Sequence, residues 1–186
     1  MTARPSDILD FWFEGDPGVS REKWCEKDAA VDTACARFTA DIRAARDGAY
    51  DAWAGTSEGA LALILLMDQL SRNVFRGTAE AFAADPHALA IARAAIARGY
   101  DQVLTPRQRM FFYLPFEHSE NMQDQDESVR LFDTVREALG RHTVDYAARH
   151  RDVIREFGRF PHRNTVLGRI GTAEEKAYSA RPGAGF

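Results

Sequence analysis

Lysine is nearly missing from this 186-residue chain: of 24 basic residues only Lys23, Lys27 and Lys176 are lysines, and the rest are arginines. A GC-rich genome produces such a bias by itself, so one arginine carries less functional weight here than usual. Cysteine is scarce too. Cys25 and Cys35 are spaced neither as a CxxC redox motif nor as zinc ligands. Both are expected to serve as small apolar residues on a helix, in a reducing compartment. Long apolar runs are absent. The most apolar stretch, Ala60 to Leu70, contains Asp68 and is too short to cross a bilayer, and Met1 to Asp10 has no apolar core of a signal peptide. A cytoplasmic protein without a membrane role is the expectation.

The net charge of −4 offers no overall attraction to nucleic acid or an acidic membrane. Basic residues between Arg141 and Arg163 are interrupted by Asp145, Asp152 and Glu156, which argues against a nucleic-acid groove. The chain lacks HExxH, GxSxG, a P-loop and GxGxxG. His118, Glu120, His150 and His162 have no diagnostic ligand spacing, so neither a metal nor a cofactor is expected. No segment alternates β-branched residues with period two, so no sheet is expected.

Helix punctuation is what remains, and it is dense. The 45% hydrophobic and 28% charged balance is that of a globular chain. Ser6 is read as the cap of a helix carrying Ile8, Leu9, Trp12 and Phe13, ended by Gly15, Pro17 and Gly18. Ser20 opens a long segment to Arg46, with Val31, Ala34, Phe38 and Ile42 at helical spacing. Ala60–Leu70, apolar nearly all round, predicts a buried central helix. Asp85-Pro86 reads as an N-cap followed by proline, with Gly99 as the stop. Thr105 with Gln108 and Thr172 with Glu175 read as capping boxes. Pro115 is expected to end one helix, Ser119 to start another, and Gly140 and Gly158 to end the next two. The expected architecture is all-α, with antiparallel helix pairs in a single domain over residues 1–186.

Three segments concentrate unusual polar residues. In the first, Asp68 and Arg72 share a helix face. They form either a structural ion pair or a frame in which Asp68 directs Arg72 or Arg76 at a ligand, with Asn73 as a further candidate contact. In the second, Glu117-His118-Ser119-Glu120 places a histidine at an expected helix start between carboxylates, as a candidate acid or base or simply a cap. Gln123 and Gln125 follow as amide donors. In the third, His150 shares an inward face with Ala147, Ile154 and Phe157. Beyond Gly158, Pro161 holds Phe160 extended, so that Arg159, His162, Arg163 and Asn164 are presented from a loop. Such arginines either grip a carboxylate or phosphate or tie helix ends together.

The motifs Asp68-Gln69-Leu70-Ser71-Arg72-Asn73, Pro115 to Glu120, and Phe157 to Asn164 followed by Leu167-Gly168-Arg169 carry a resemblance. With Ile8 to Phe13 and Thr172 to Glu175 at the ends, nearly the whole chain resembles the bacterial family of unknown function numbered 924. The resemblance implies a fold similar to a tetratricopeptide-repeat superhelix and brings no established activity. The family's usual pattern has proline where this chain has Ser71, so the turn after the central helix is expected to be shaped differently.

Two functions follow. Folded together, the three segments form a pocket for a small carboxylate or phosphate, with His118 or His150 as a candidate catalytic base. Alternatively, the helices form a scaffold with a groove for a peptide or partner protein. Concentration of the unusual residues in three places favours the pocket.

Overall fold

The computed structural model describes residues 3–14, 16 and 28–184. The regular structure is helical, and no strand occurs among the described residues. Helix α1 (Pro5–Phe13) carries proline in its first turn, where a missing N–H leaves no bond unmade. Asp7 rather than Ser6 secures its start, accepting from the Arg4 backbone N–H at 2.9 Å. Asp28 caps α2 (Ala29–Cys35), and a 3-10 turn, Ala36–Phe38, leads into α3 (Thr39–Arg46). Within the described part, two helices and a turn therefore replace the single long helix. Its buried stripe is Cys35, Phe38 and Ile42, whereas Ala34 is exposed. Gly15, Pro17, Gly18, Ser20, Trp24 and Cys25 lie outside the described residues.

The central rod is continuous: α4 (Ser57–Ile64), a π turn (Leu65–Leu70) and α5 (Ser71–Val74). Residues 60 to 68 have no exposed surface, as an all-round apolar face requires. Gly59 allows the rod to start where it does, because a Cβ there would lie 2.0 Å from the Trp53 carbonyl oxygen. No turn forms at Ser71. Its N–H bonds the Leu66 carbonyl five residues back, and its hydroxyl donates to the Met67 carbonyl at 2.5 Å. A proline would lack the first of these bonds.

The following helices run to and fro across the rod. Helix α6 (Asp85–Ala97) is antiparallel to it: Asp85 at one end meets Arg72, and Arg98 beyond the other meets the Ala54 carbonyl. Asp85 makes no cap, because its carboxylate is engaged by Arg72. After Gly99 (φ 72°), α7 (Pro106–Glu117) starts with the expected Thr105–Gln108 capping box. Pro115 lies inside α7 instead of ending it, so His118 is a helix C-cap and not a helix start. Asn121 rather than Ser119 caps α8 (Met122–Asp133), which returns along α7 with Phe132 edge-on to Tyr113. A short α9 (Arg136–Leu139) precedes α10 (Arg141–Phe157), which ends at Gly158 (φ 69°). A loop with a 3-10 turn at Pro161–Arg163 leads to α11 (Ala173–Ser179), opened by the Thr172–Glu175 capping box. No described helix is long and apolar enough to cross a membrane.

Candidate functional site

The π turn, the C-terminal end of α7, the middle of α10 and the Pro161–Arg163 turn converge on one cleft of about 800 Å³. Its walls include Arg72 and Asn73 from the rod, Glu117 and His118 from α7, His150 from α10, and His162 and Arg163 from the loop. Asp68 stands behind this wall with no exposed surface.

Asp68 is the hub. Its Oδ1 lies 2.6 Å from His118 Nδ1 and 3.4 Å from Arg72 Nη2, and its Oδ2 accepts from Gln69 Nε2 at 2.6 Å. Burial by itself raises the Asp68 pKa; His118 and Arg72 outweigh burial and hold it below the usual carboxylate range. Burial, followed by the Arg72 charge, lowers the His118 pKa against the pull of Asp68. At neutral pH the pair is therefore a carboxylate and a neutral imidazole whose Nδ1–H donates to Asp68. Nε2 then carries the lone pair, and it has no hydrogen-bond partner among the described residues. A helix C-cap position also favours the imidazolium that forms when Nε2 takes up a proton.

Two guanidiniums stand beside this pair. Arg72 grips Asp85 through both terminal nitrogens at 2.9 and 3.0 Å. Arg163 reaches the same carboxylate only at 3.4 Å and donates to the His118 carbonyl at 3.0 Å. Its Nε is buried and makes no hydrogen bond among the described residues. Burial, then the neighbouring Arg72 charge, lowers its pKa to about 10. The guanidinium lies between the Phe82 and Phe160 rings, with its carbon 4.7 and 4.5 Å from their centroids. It is charged at neutral pH, and the single carboxylate it reaches among the described residues is shared with Arg72.

Glu117 behaves in the opposite way to Asp68. It is 1% exposed, and its Oε1 is buried without a hydrogen bond among the described residues, 3.6 Å from His150 Nδ1. Burial and then the Asp68 charge push its pKa well above the glutamate value of 4.5, the direction opposite to that of Asp68. His150 Nδ1 lies 3.0 Å from the Tyr146 carbonyl, which marks it as the donor nitrogen. Burial drives the His150 pKa down to about 2 and that of His162 to about 4, so both rings are neutral. The His118 and His150 rings are 6.3 Å apart.

The remaining sequence candidates sit elsewhere. Arg159 is locked to Glu175 at 2.6 and 2.8 Å, on the far side of the loop. Glu120 holds Arg169 at 2.7 Å and the Phe160 N–H at 2.8 Å. Asn164 faces a second, smaller hollow of about 540 Å³ with Arg169 and Lys176. Gln125 closes the end of α7, donating to the Glu117 and Ser119 carbonyls at 2.6 Å each, and Gln123 is exposed. Arg76 is different: it lines the cleft while paired with Asp32 at 2.8 Å.

Sequence reasoning missed Asp85, Tyr146 and Arg149. Asp-Pro read as a cap, and nothing local distinguishes a capping aspartate from one held by a distant arginine. The α10 wall was within reach: His142, Tyr146, Arg149 and His150 follow helical spacing and line the cleft together.

A family model described as bacterial protein of unknown function (DUF924) matches residues 8–183. A solved structure of a protein of unknown function from Agrobacterium tumefaciens is similar to this chain. It is 42% identical with a TM-score of 0.85, covering 95% of this chain and 96% of that one. No curated protein matches the chain.

Proposed function

Because the chain belongs to this bacterial family of unknown function, which carries no activity over to it, we propose from geometry alone that the cleft binds a small carboxylate or phosphate compound and acts on it through His118 as a general base. The observation that carries the proposal is the 2.6 Å contact between His118 Nδ1 and buried Asp68, with Nε2 unpartnered. An imidazole oriented by a carboxylate through Nδ1 accepts a proton at Nε2, and the carboxylate stabilises the imidazolium formed. Arg163 and Arg72 supply the anion's counter-charge next to that ring. Glu117 and Asp68 are two carboxyl groups driven apart in pKa by their surroundings, the pattern by which acid and base roles divide in one site. The same reading takes the to-and-fro succession of α6, α7, α8 and α10 as a single tetratricopeptide-repeat-like domain, supported by the short connections.

The test follows the imidazole signals by NMR during titration with acetate and with inorganic phosphate. Either anion is expected to shift the His118 resonances in the native protein and in His118→Gln to bind with similar affinity. Arg163→Gln is expected to weaken binding at least tenfold, the scale of losing a charged hydrogen bond of about 1.5–3 kcal/mol. Anion shifts that survive Arg163→Gln unchanged rule this site out. For a small carboxylate or phosphate ester that the protein converts, His118→Gln is expected to abolish turnover; retained turnover removes the base assignment.

A further inference from the structure

From the polar inner end of the cleft an apolar strip runs outward along one wall. Leu114 lies one helical turn before His118 on α7, and Met110 one turn further out; Tyr146 lies one turn before His150 on α10. Leu139 and Phe132 also line the cleft, as do Arg107 one turn before Met110 and His142 one turn before Tyr146. Met110, Leu114 and Leu139 are partly exposed and Tyr146 is 40% exposed, although Phe111, Phe112 and Phe116 on the same helix α7 are buried. An apolar strip left uncovered inside a cleft, next to charged residues, is the common form of a small-molecule site.

We propose that this strip is a lane for an aliphatic chain, so that the ligand is a medium-chain aliphatic carboxylate with its head between Arg163, Arg72 and His118. The inference rests on the anion-binding reading above and names the ligand class. Length supports it. From Met110 to His118 is eight residues, about 12 Å at the helical rise, room for about nine bonds, or roughly ten carbons, of an extended chain whose bonds of about 1.5 Å each advance it by about 1.3 Å. The cleft's volume of about 800 Å³ falls within the small-molecule range of about 300–1,000 Å³. Charge sets the orientation: Arg163 and Arg72 stand together beside His118 at the inner end, whereas Arg107 at the outer end shares the lining with Asp145, so the carboxylate enters first and the chain lies back along Leu114 and Met110.

The experiment measures dissociation constants for acetate, butanoate, hexanoate, octanoate and dodecanoate on the intact protein. Affinity is expected to rise about fourfold per added methylene up to about ten carbons and then to level off. Met110→Ser and Leu114→Asn, both at partly exposed positions and both checked for an unchanged thermal transition, are expected to weaken octanoate at least tenfold and leave acetate unaltered. Octylammonium is expected to bind far more weakly than octanoate. A flat series in which acetate still binds through Arg163 overturns the lane and leaves the anion site standing. Equal binding of octylammonium and octanoate overturns the proposed orientation and the carboxylate class. If no member binds, acetate included, the lane and the anion site fall together.

Discussion

At the scale of single residues, the cleft is organised by which carboxyl group is compensated. Asp68 has His118, Arg72 and Gln69 within reach; Glu117 has no hydrogen bond at Oε1 among the described residues. The raised Glu117 pKa means that the folded state holds its proton more tightly than the unfolded chain. Its contribution to stability is therefore complete below about pH 4.5 and is lost as pH rises through the folded value. Glu117→Gln is expected to match the native protein near pH 4 and to exceed it in denaturant unfolding at pH 8. Equal stability at both pH values shows that Glu117 is not held neutral. His150 acts in the other direction. Its pKa falls from 6.5 to about 2, so the unfolded chain binds a proton below pH 6.5 that the folded state refuses, and stability falls as pH drops. His150→Asn keeps a donor for the Tyr146 carbonyl and removes the titration. Between pH 6 and 4 its stability is expected to fall less steeply than that of the native protein, by about 1.4 kcal/mol per pH unit. Parallel acid limbs contradict this.

At the scale of elements, two devices keep the site in place. One is the loop from Phe160 to Asn164, which puts Arg163 and His162 into the cleft and Asn164 behind it. Glu120 holds this loop from α7's far end, accepting from the Phe160 N–H while paired with Arg169. Glu120→Gln keeps one acceptor and loses the charge. It is expected to raise amide hydrogen exchange at Phe160 and across the loop, with α10 unchanged; uniform exchange along both shows that Glu120 does not hold the loop. The other device is the close seat of the central rod on the 3-10 turn Asp51–Gly55. Gly59→Ala forces a methyl group against the Trp53 carbonyl, 2.0 Å from an ideal Cβ. A loss of about 2 kcal/mol is expected, within the range for overpacking; a cost below 0.5 kcal/mol, the usual size for a neutral surface change, shows that the turn gives way. The capping boxes at Thr105 and Thr172 and the glycine stops at Gly99 and Gly158 were legible in the sequence because each is a local bond or a local φ. Asp85, Pro115 and His118 were misread for a shared reason. A cap aspartate, a terminal proline and a helix-start histidine look the same locally as an arginine partner, a proline inside a helix and a C-cap.

At the scale of the whole molecule, a chain of net charge −4 presents an arginine-lined cleft. Long-range repulsion and short-range attraction oppose each other for an incoming anion. Raising salt from about 0.01 to 0.1 M shortens the screening length from about 30 to 10 Å, which removes the first and spares the second at Arg163, 6% exposed. Phosphate affinity is expected to change less than about threefold over that range. A steep loss places the anion on surface arginines instead.

The sequence by itself determined the helical class, the buried central rod and several helix ends, because periodicity, caps and glycine stops act within a few residues. It also singled out Asp68, His118, His150, His162 and Arg163 as unusual. Which of these share a cleft was decided only in three dimensions. The to-and-fro packing brings residue 68 to 118, 117 to 150, and 72 and 163 to the same Asp85, contacts that no local spacing encodes. The directions of the pKa shifts were decided there as well. Burial and the charges that folding brings near put the Asp68 pKa down and the Glu117 pKa up, and neither burial nor neighbours is a property of the residue alone.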